Sequence, residues 1–140
     1  MEKALYDTYL AILKEELVPA MGCTEPIAVA YAAALAARAL GCPAEQAEVA
    51  ASANIIKNVK SVVVPHTGGR RGIAAAAAAG IVAGDADKEL EVLCAVTEDD
   101  LKKMADFLEK TPIQKSILWV QDLSSMKYEC PKYRNQCLPI

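Results

Sequence analysis

Two alanine-rich stretches, around residues 26–37 and 72–84, constrain this 140-residue chain more than any other feature. Alanine side chains bury little area each, so an interior built from them holds only where helices approach closely. Aromatic residues are scarce at 5%, which leaves alanine to fill the core. With 54% hydrophobic and 24% charged residues, such a core is attainable and disorder is excluded. The first stretch opens as a helix at Thr24, Glu25 and Pro26, where threonine can cap, a carboxylate complements the positive helix end, and proline is tolerated. It runs to about Leu40 and stops at Gly41, with Pro43 beyond. Its only charge over 26–40 is Arg38, near the end where a cation is favoured. A helix apolar all round is a buried helix. Burying it within 140 residues is difficult, which predicts missing neighbours or an oligomer. Both stretches are too short to span a bilayer.

The remaining segments place smaller elements around these two helices. Leu5, Tyr9, Ile12, Leu13 and Leu17 recur at helical spacing over residues 2–17, and Val18-Pro19 ends that helix. Residues 45–53 fit a strand or a helix. Asn54 reads as the cap of a short helix, Ile55 to Lys60, and Val62 to Val64 as a short strand stopped by Pro65. A glycine-rich loop from His66 to Gly72 leads into the second alanine-rich helix, 73–83, which ends at Gly84. Asp85 or Asp87 opens a helical stretch to about Val96. Thr97 to Asp100 fits a capping box ahead of Leu101, Met104, Ala105 and Leu108. Thr111-Pro112 stops that helix, and a strand begins at Ile113. The fold class is α+β and predominantly helical. Periodicity fails after residue 117, which sets 118–140 apart as an atypical tail and predicts a frameshift or a truncation there.

The net charge is −3 and no basic tract occurs, which argues against nucleic acid and against an anionic membrane surface. The N-terminus enters an amphipathic pattern with no signal-like apolar region, so a cytoplasmic location is expected. Five cysteines (Cys23, Cys42, Cys94, Cys130, Cys137) stand at irregular spacing with no CxxC pair. Cys42 and Cys94 read as buried thiols.

Three segments carry side chains with chemistry. Cys23 lies just before a helix start, where backbone N–H groups and the helix dipole favour an anion and so should ease ionisation of the thiol. A thiolate suits both a nucleophile and an iron ligand, although a small residue packed in a turn has the same pattern. Asn54, Lys57 and Asn58 share one helical face. Two amides and an ammonium there suit a carboxylate or an enolate, while spacing alone favours a solvated face. Pro65-His66-Thr67-Gly68-Gly69 can present backbone N–H groups to an anion, but it has neither a Walker pattern nor GxGxxG. His66, the only histidine, suits a base if something fixes it and is otherwise a loop residue in solvent.

Leu17 to Pro26, Asn54 to Val62, Pro65 to Gly69 and the alanine helix that follows, taken in order, resemble the L-cysteine desulfidase family, the iron-sulfur relatives of serine dehydratases. The resemblance spans roughly residues 5–117 and defines a domain over 1–117, the N-terminal part of a larger iron-sulfur lyase fold. It implies a [4Fe-4S] cluster, with Cys23 as one ligand, and conversion of L-cysteine and water to hydrogen sulfide, ammonia and pyruvate. It further implies that Asn54, Asn58, Thr67 and Gly68 hold the substrate carboxylate; it assigns no base, for which Lys57 is the candidate. L-serine is the alternative substrate, as in an L-serine dehydratase. Family members are much longer and carry their other cluster cysteines in the half this chain lacks. Cys130 and Cys137 therefore inherit no role, and the expected partners are a second copy or a separate C-terminal chain. Two further readings compete: an inactive truncated remnant, and a non-catalytic helical assembly or binding module.

Overall fold

Gly80 lies where the two alanine-rich helices cross. A Cβ built there would stand 2.0 Å from the backbone carbonyl oxygen of Ala30 and 2.7 Å from Ala33 Cβ, so only glycine allows the approach. The computed structural model describes residues 2–117, 125–129 and 137–138. The crossing joins α2 (Thr24–Leu40) to α4 (Gly72–Ala83) and forms the main helix pair of the core. α2 buries Ile27, Val29 and a run of alanines, and α4 buries Ile73 and Ala75 to Gly80. The burial expected for α2 is thus met within the chain itself. Gly41, at φ 64°, ends α2 in the left-handed conformation that glycine adopts without steric cost.

The other elements close around this pair. β1 (Gln46–Ala51) resolves the ambiguous segment as a strand. Its alanines follow the pairing of the sheet, in which packing decides strand content more than intrinsic preference. β1 runs parallel to β2 (Ile113–Ile117) and antiparallel to β3 (Ser125–Glu129), and β3 pairs with β4 (Cys137–Leu138). The order is β2-β1-β3-β4. Ala47, Val49, Ala50 and Ala51 are buried in the central strand. α3 (Ala53–Val59) follows β1 directly, and α5 (Glu98–Lys110) packs on α4. Met104 of α5 and Leu93, from the segment before it, are fully buried. α5 begins with the expected capping box: the Thr97 hydroxyl accepts from the Asp100 N–H, and Asp100 accepts from the Thr97 N–H.

Several expectations need correction. Ser52, not Asn54, caps α3, accepting from the Ile55 N–H at 3.3 Å, because the helix begins one residue before Asn54. Val62 to Val64 form no strand; a single bridge joins Val63 to Arg71. Residues Ala86–Glu91 form a tight 3-10 segment broken at Glu89, where φ is 46°. Cys94 is exposed, and Cys42 is half-buried beside the core and is not a free thiol. The predominantly helical α+β class holds, whereas nothing in the architecture supports a larger iron-sulfur lyase fold. Most of the tail, including Cys130, lies outside the described residues. α1 (Lys3–Glu16) forms as its spacing predicts, yet buries none of its side chains.

Candidate functional site

The chain between α1 and α2 passes through Gly22, whose φ of 140° suits glycine, and lies against the following loop. A Cβ on Gly22 would be 3.6 Å from Pro65 Cγ. Cys23 then takes the N-cap position of α2 in an extended conformation, and Thr24 becomes the first helical residue. The Cys23 side chain does not cap the helix. Its Sγ–H donates to Glu25 Oε2 at 2.8 Å. The other oxygen, Oε1, accepts from Asn58 Nδ2 at 3.0 Å. Glu25 therefore ties the start of α2 to α3, across 33 residues of sequence.

This arrangement reverses the expected ionisation of Cys23. The hydrogen bond to Glu25 pushes the thiol pKa up, because a neighbouring carboxylate favours the form that still carries its proton. The Glu25 carboxyl is held below its ordinary value, first by the Cys23 thiol and also by the Asn58 amide. The pair is thus a protonated thiol whose proton is held by a neighbouring carboxylate.

α3 is held by buried Val59 and by half-buried Ile55 and Ile56 packed on the core. That anchoring turns Asn54 and Lys57 outward and leaves Asn58 half-buried against Glu25. Asn54 precedes Lys57 and Asn58 by three and four residues, so all three sit within one turn. Among the described residues Lys57 forms no ion pair.

The loop beyond α3 is a closed turn. The Val64 N–H donates to the Arg70 carbonyl at 2.9 Å, and the buried Thr67 hydroxyl donates to the Val64 carbonyl at 2.8 Å. The Arg71 guanidinium donates to the Ser61 carbonyl. His66, Gly68 and Gly69 are exposed and all have left-handed φ. Thr67 thus shapes the loop with its hydroxyl, while Gly68 lies at the surface near Leu101 of α5.

Of the residues expected from sequence, Cys23 and Asn58 meet through Glu25, Asn54 and Lys57 share the adjoining face, and Thr67 and Gly68 belong to the loop that touches Gly22. Glu25 is the functional group that sequence reasoning missed. It read as a complement to the helix dipole, and no local spacing points to a partner as remote as Asn58.

Among the described residues no group of three or more His, Cys, Asp or Glu side chains is placed to hold a metal ion. Cys23 and Cys42 flank opposite ends of α2, whose 17 residues span about 25 Å. Among the described residues no helix is long and apolar enough to cross a membrane.

Comparison with known proteins gives the chain close relatives. It is 56% identical over 109 residues to a UPF0597 protein of Desulfitobacterium hafniense, covering 78% of this chain and 25% of that relative. It is 49% identical over 111 residues to a UPF0597 protein of Treponema denticola, covering 79% and 26%. A UPF0597 protein of Nitratidesulfovibrio vulgaris is 45% identical over 124 residues, covering 89% and 27%. The chain spans about a quarter of the length of these relatives. No family model matches, and no solved structure matches. The relatives carry the UPF0597 name and not that of a cysteine desulfidase or serine dehydratase, which overturns the expected kinship and with it the iron-sulfur lyase function.

Proposed function

We propose that this chain forms the recognition face for a small α-amino acid within a protein about four times as long. The observation that carries the reading is the hydrogen-bonded chain Cys23–Glu25–Asn58, set beside the exposed Lys57 on the same turn of α3. An α-amino acid at neutral pH carries one ammonium and one carboxylate. Glu25 offers a full negative charge to the ammonium, and its lowered pKa keeps that charge present in neutral solution. Lys57 and Asn54 offer an ammonium and an amide to the carboxylate. Gly68, on the loop next to Gly22, adds a surface where a ligand can approach the backbone closely. The Cys23 thiol lies beside the ammonium position and donates to Glu25.

Exposed ion pairs contribute at most about 1 kcal/mol each, so binding by this chain alone should be weak, on the order of tens of millimolar. The test is an NMR titration of the chain with L-serine and L-alanine. The expected result is saturable shifts at the Asn54 and Asn58 side-chain amides, and an affinity about fivefold lower in both Lys57→Ala and Glu25→Gln. Absence of saturable shifts, or an affinity unchanged from the parent chain in either variant, refutes the reading.

A further inference from the structure

We infer that α1 is a docking helix whose apolar face is covered by the part of the longer protein that lies outside this chain. Leu5, Tyr6, Tyr9, Leu10, Ile12 and Leu13 are all exposed, from 37% for Leu10 to 54% for Tyr6. α1 buries no residue against the rest of the fold, although every other helix buries at least one. A lone 14-residue helix is marginal in water, because helices in proteins draw most of their stability from packing an apolar face.

The width of that face selects the occupant. At 100° per residue the six side chains cover roughly 160° of arc. A two-helix seam with a second copy uses a narrower stripe, two positions in seven. An arc this broad suits a helix laid against the core of a larger body. The relatives supply such a body, since about three quarters of their length lies beyond the matched region. α1 also leads within seven residues to the N-cap of α2, so whatever covers it lies close to Cys23. The inference stands on exposure and relative length, and holds whether or not the site binds an amino acid.

Amide hydrogen exchange in two intact proteins tests it: this chain, and the full-length Desulfitobacterium hafniense relative. Alone, α1 should exchange within about tenfold of an unstructured peptide at every protein concentration. In the full-length relative, the helix entering the matching Cys23 segment should exchange at least a hundredfold more slowly. A Leu13→Asp substitution should leave the melting temperature of this chain unchanged. Equal exchange of the helix in both proteins overturns the inference. Protection of α1 in this chain that grows with concentration also overturns it, assigning the face to a second copy instead.

Discussion

Glu25 accepts from a thiol and from an amide at once, and that double role governs the chemistry of the site. Its negative charge holds the proton on Cys23, so the thiol is a poorer nucleophile than a solvated cysteine at the same pH. Replacing Glu25 with glutamine removes the charge and lets the thiol pKa fall toward its ordinary value. Alkylation of Cys23 by iodoacetamide at pH 8, followed on the peptide that contains it by mass spectrometry, should run several-fold faster in Glu25→Gln. An unchanged or slower rate would show that Glu25 does not hold the proton. At this scale the sequence was half legible. The position of Cys23 before a helix and the shared face of Asn54, Lys57 and Asn58 follow from local spacing. The Glu25–Asn58 bond does not, because it depends on how two helices separated in sequence come together; the hydrogen bond from Cys23 to Glu25 reversed the expected direction of the thiol shift.

The elements hold together through close backbone approach more than through large side chains. Gly80→Ala would place a methyl group 2.0 Å from the Ala30 carbonyl oxygen, so α2 and α4 must separate. Overpacking of this kind costs about 1–3 kcal/mol, and because backbone and not a flexible side chain is in the way, the upper end is expected. Chemical denaturation of Gly80→Ala beside the parent chain measures it, and a loss under about 0.5 kcal/mol would mean that the crossing yields easily. The start of α5 adds a pH dependence. Asp100 is lowered to about 2, first by the Thr97 hydroxyl and then by Lys103. A carboxyl depressed on folding stabilises above its unfolded value, near about 3.9, and that stabilisation is lost as pH falls through the folded value. The melting temperature should therefore decline between about pH 4 and the folded value near 2, and Asp100→Asn should flatten the part of that decline due to α5. An identical profile in the variant would sink this assignment. The helices, the Gly41 stop and the Thr97 capping box were legible, since each is a local pattern. β1 was not, because its alanine-rich sequence becomes a strand only through pairing with β2 and β3.

For the whole molecule, the sequence predicted exposed apolar surface but placed it on the wrong helix. α2 was expected to lack neighbours, yet α4, the sheet and the 3-10 segment enclose it. α1 is the helix left open. The reason is size: alanine helices pack so closely that a small chain suffices to bury one, whereas the leucine and tyrosine face of α1 needs a larger body. The resemblance to iron-sulfur lyases rested on short motifs around Cys23 and the glycine loop. Those motifs do form one neighbourhood, with Gly22 against Pro65, but they assemble a thiol–carboxylate–amide chain among the described residues and not a metal site. The central claim is that this neighbourhood recognises both charges of an amino acid. Its most direct test is one NMR titration series comparing L-alanine with ethylamine, which has only the ammonium, and propionate, which has only the carboxylate. The account predicts saturable binding of L-alanine at the Asn58 and Asn54 amides, with each analogue at least about threefold weaker. Equal binding of all three, or binding that bypasses these amides, would contradict it.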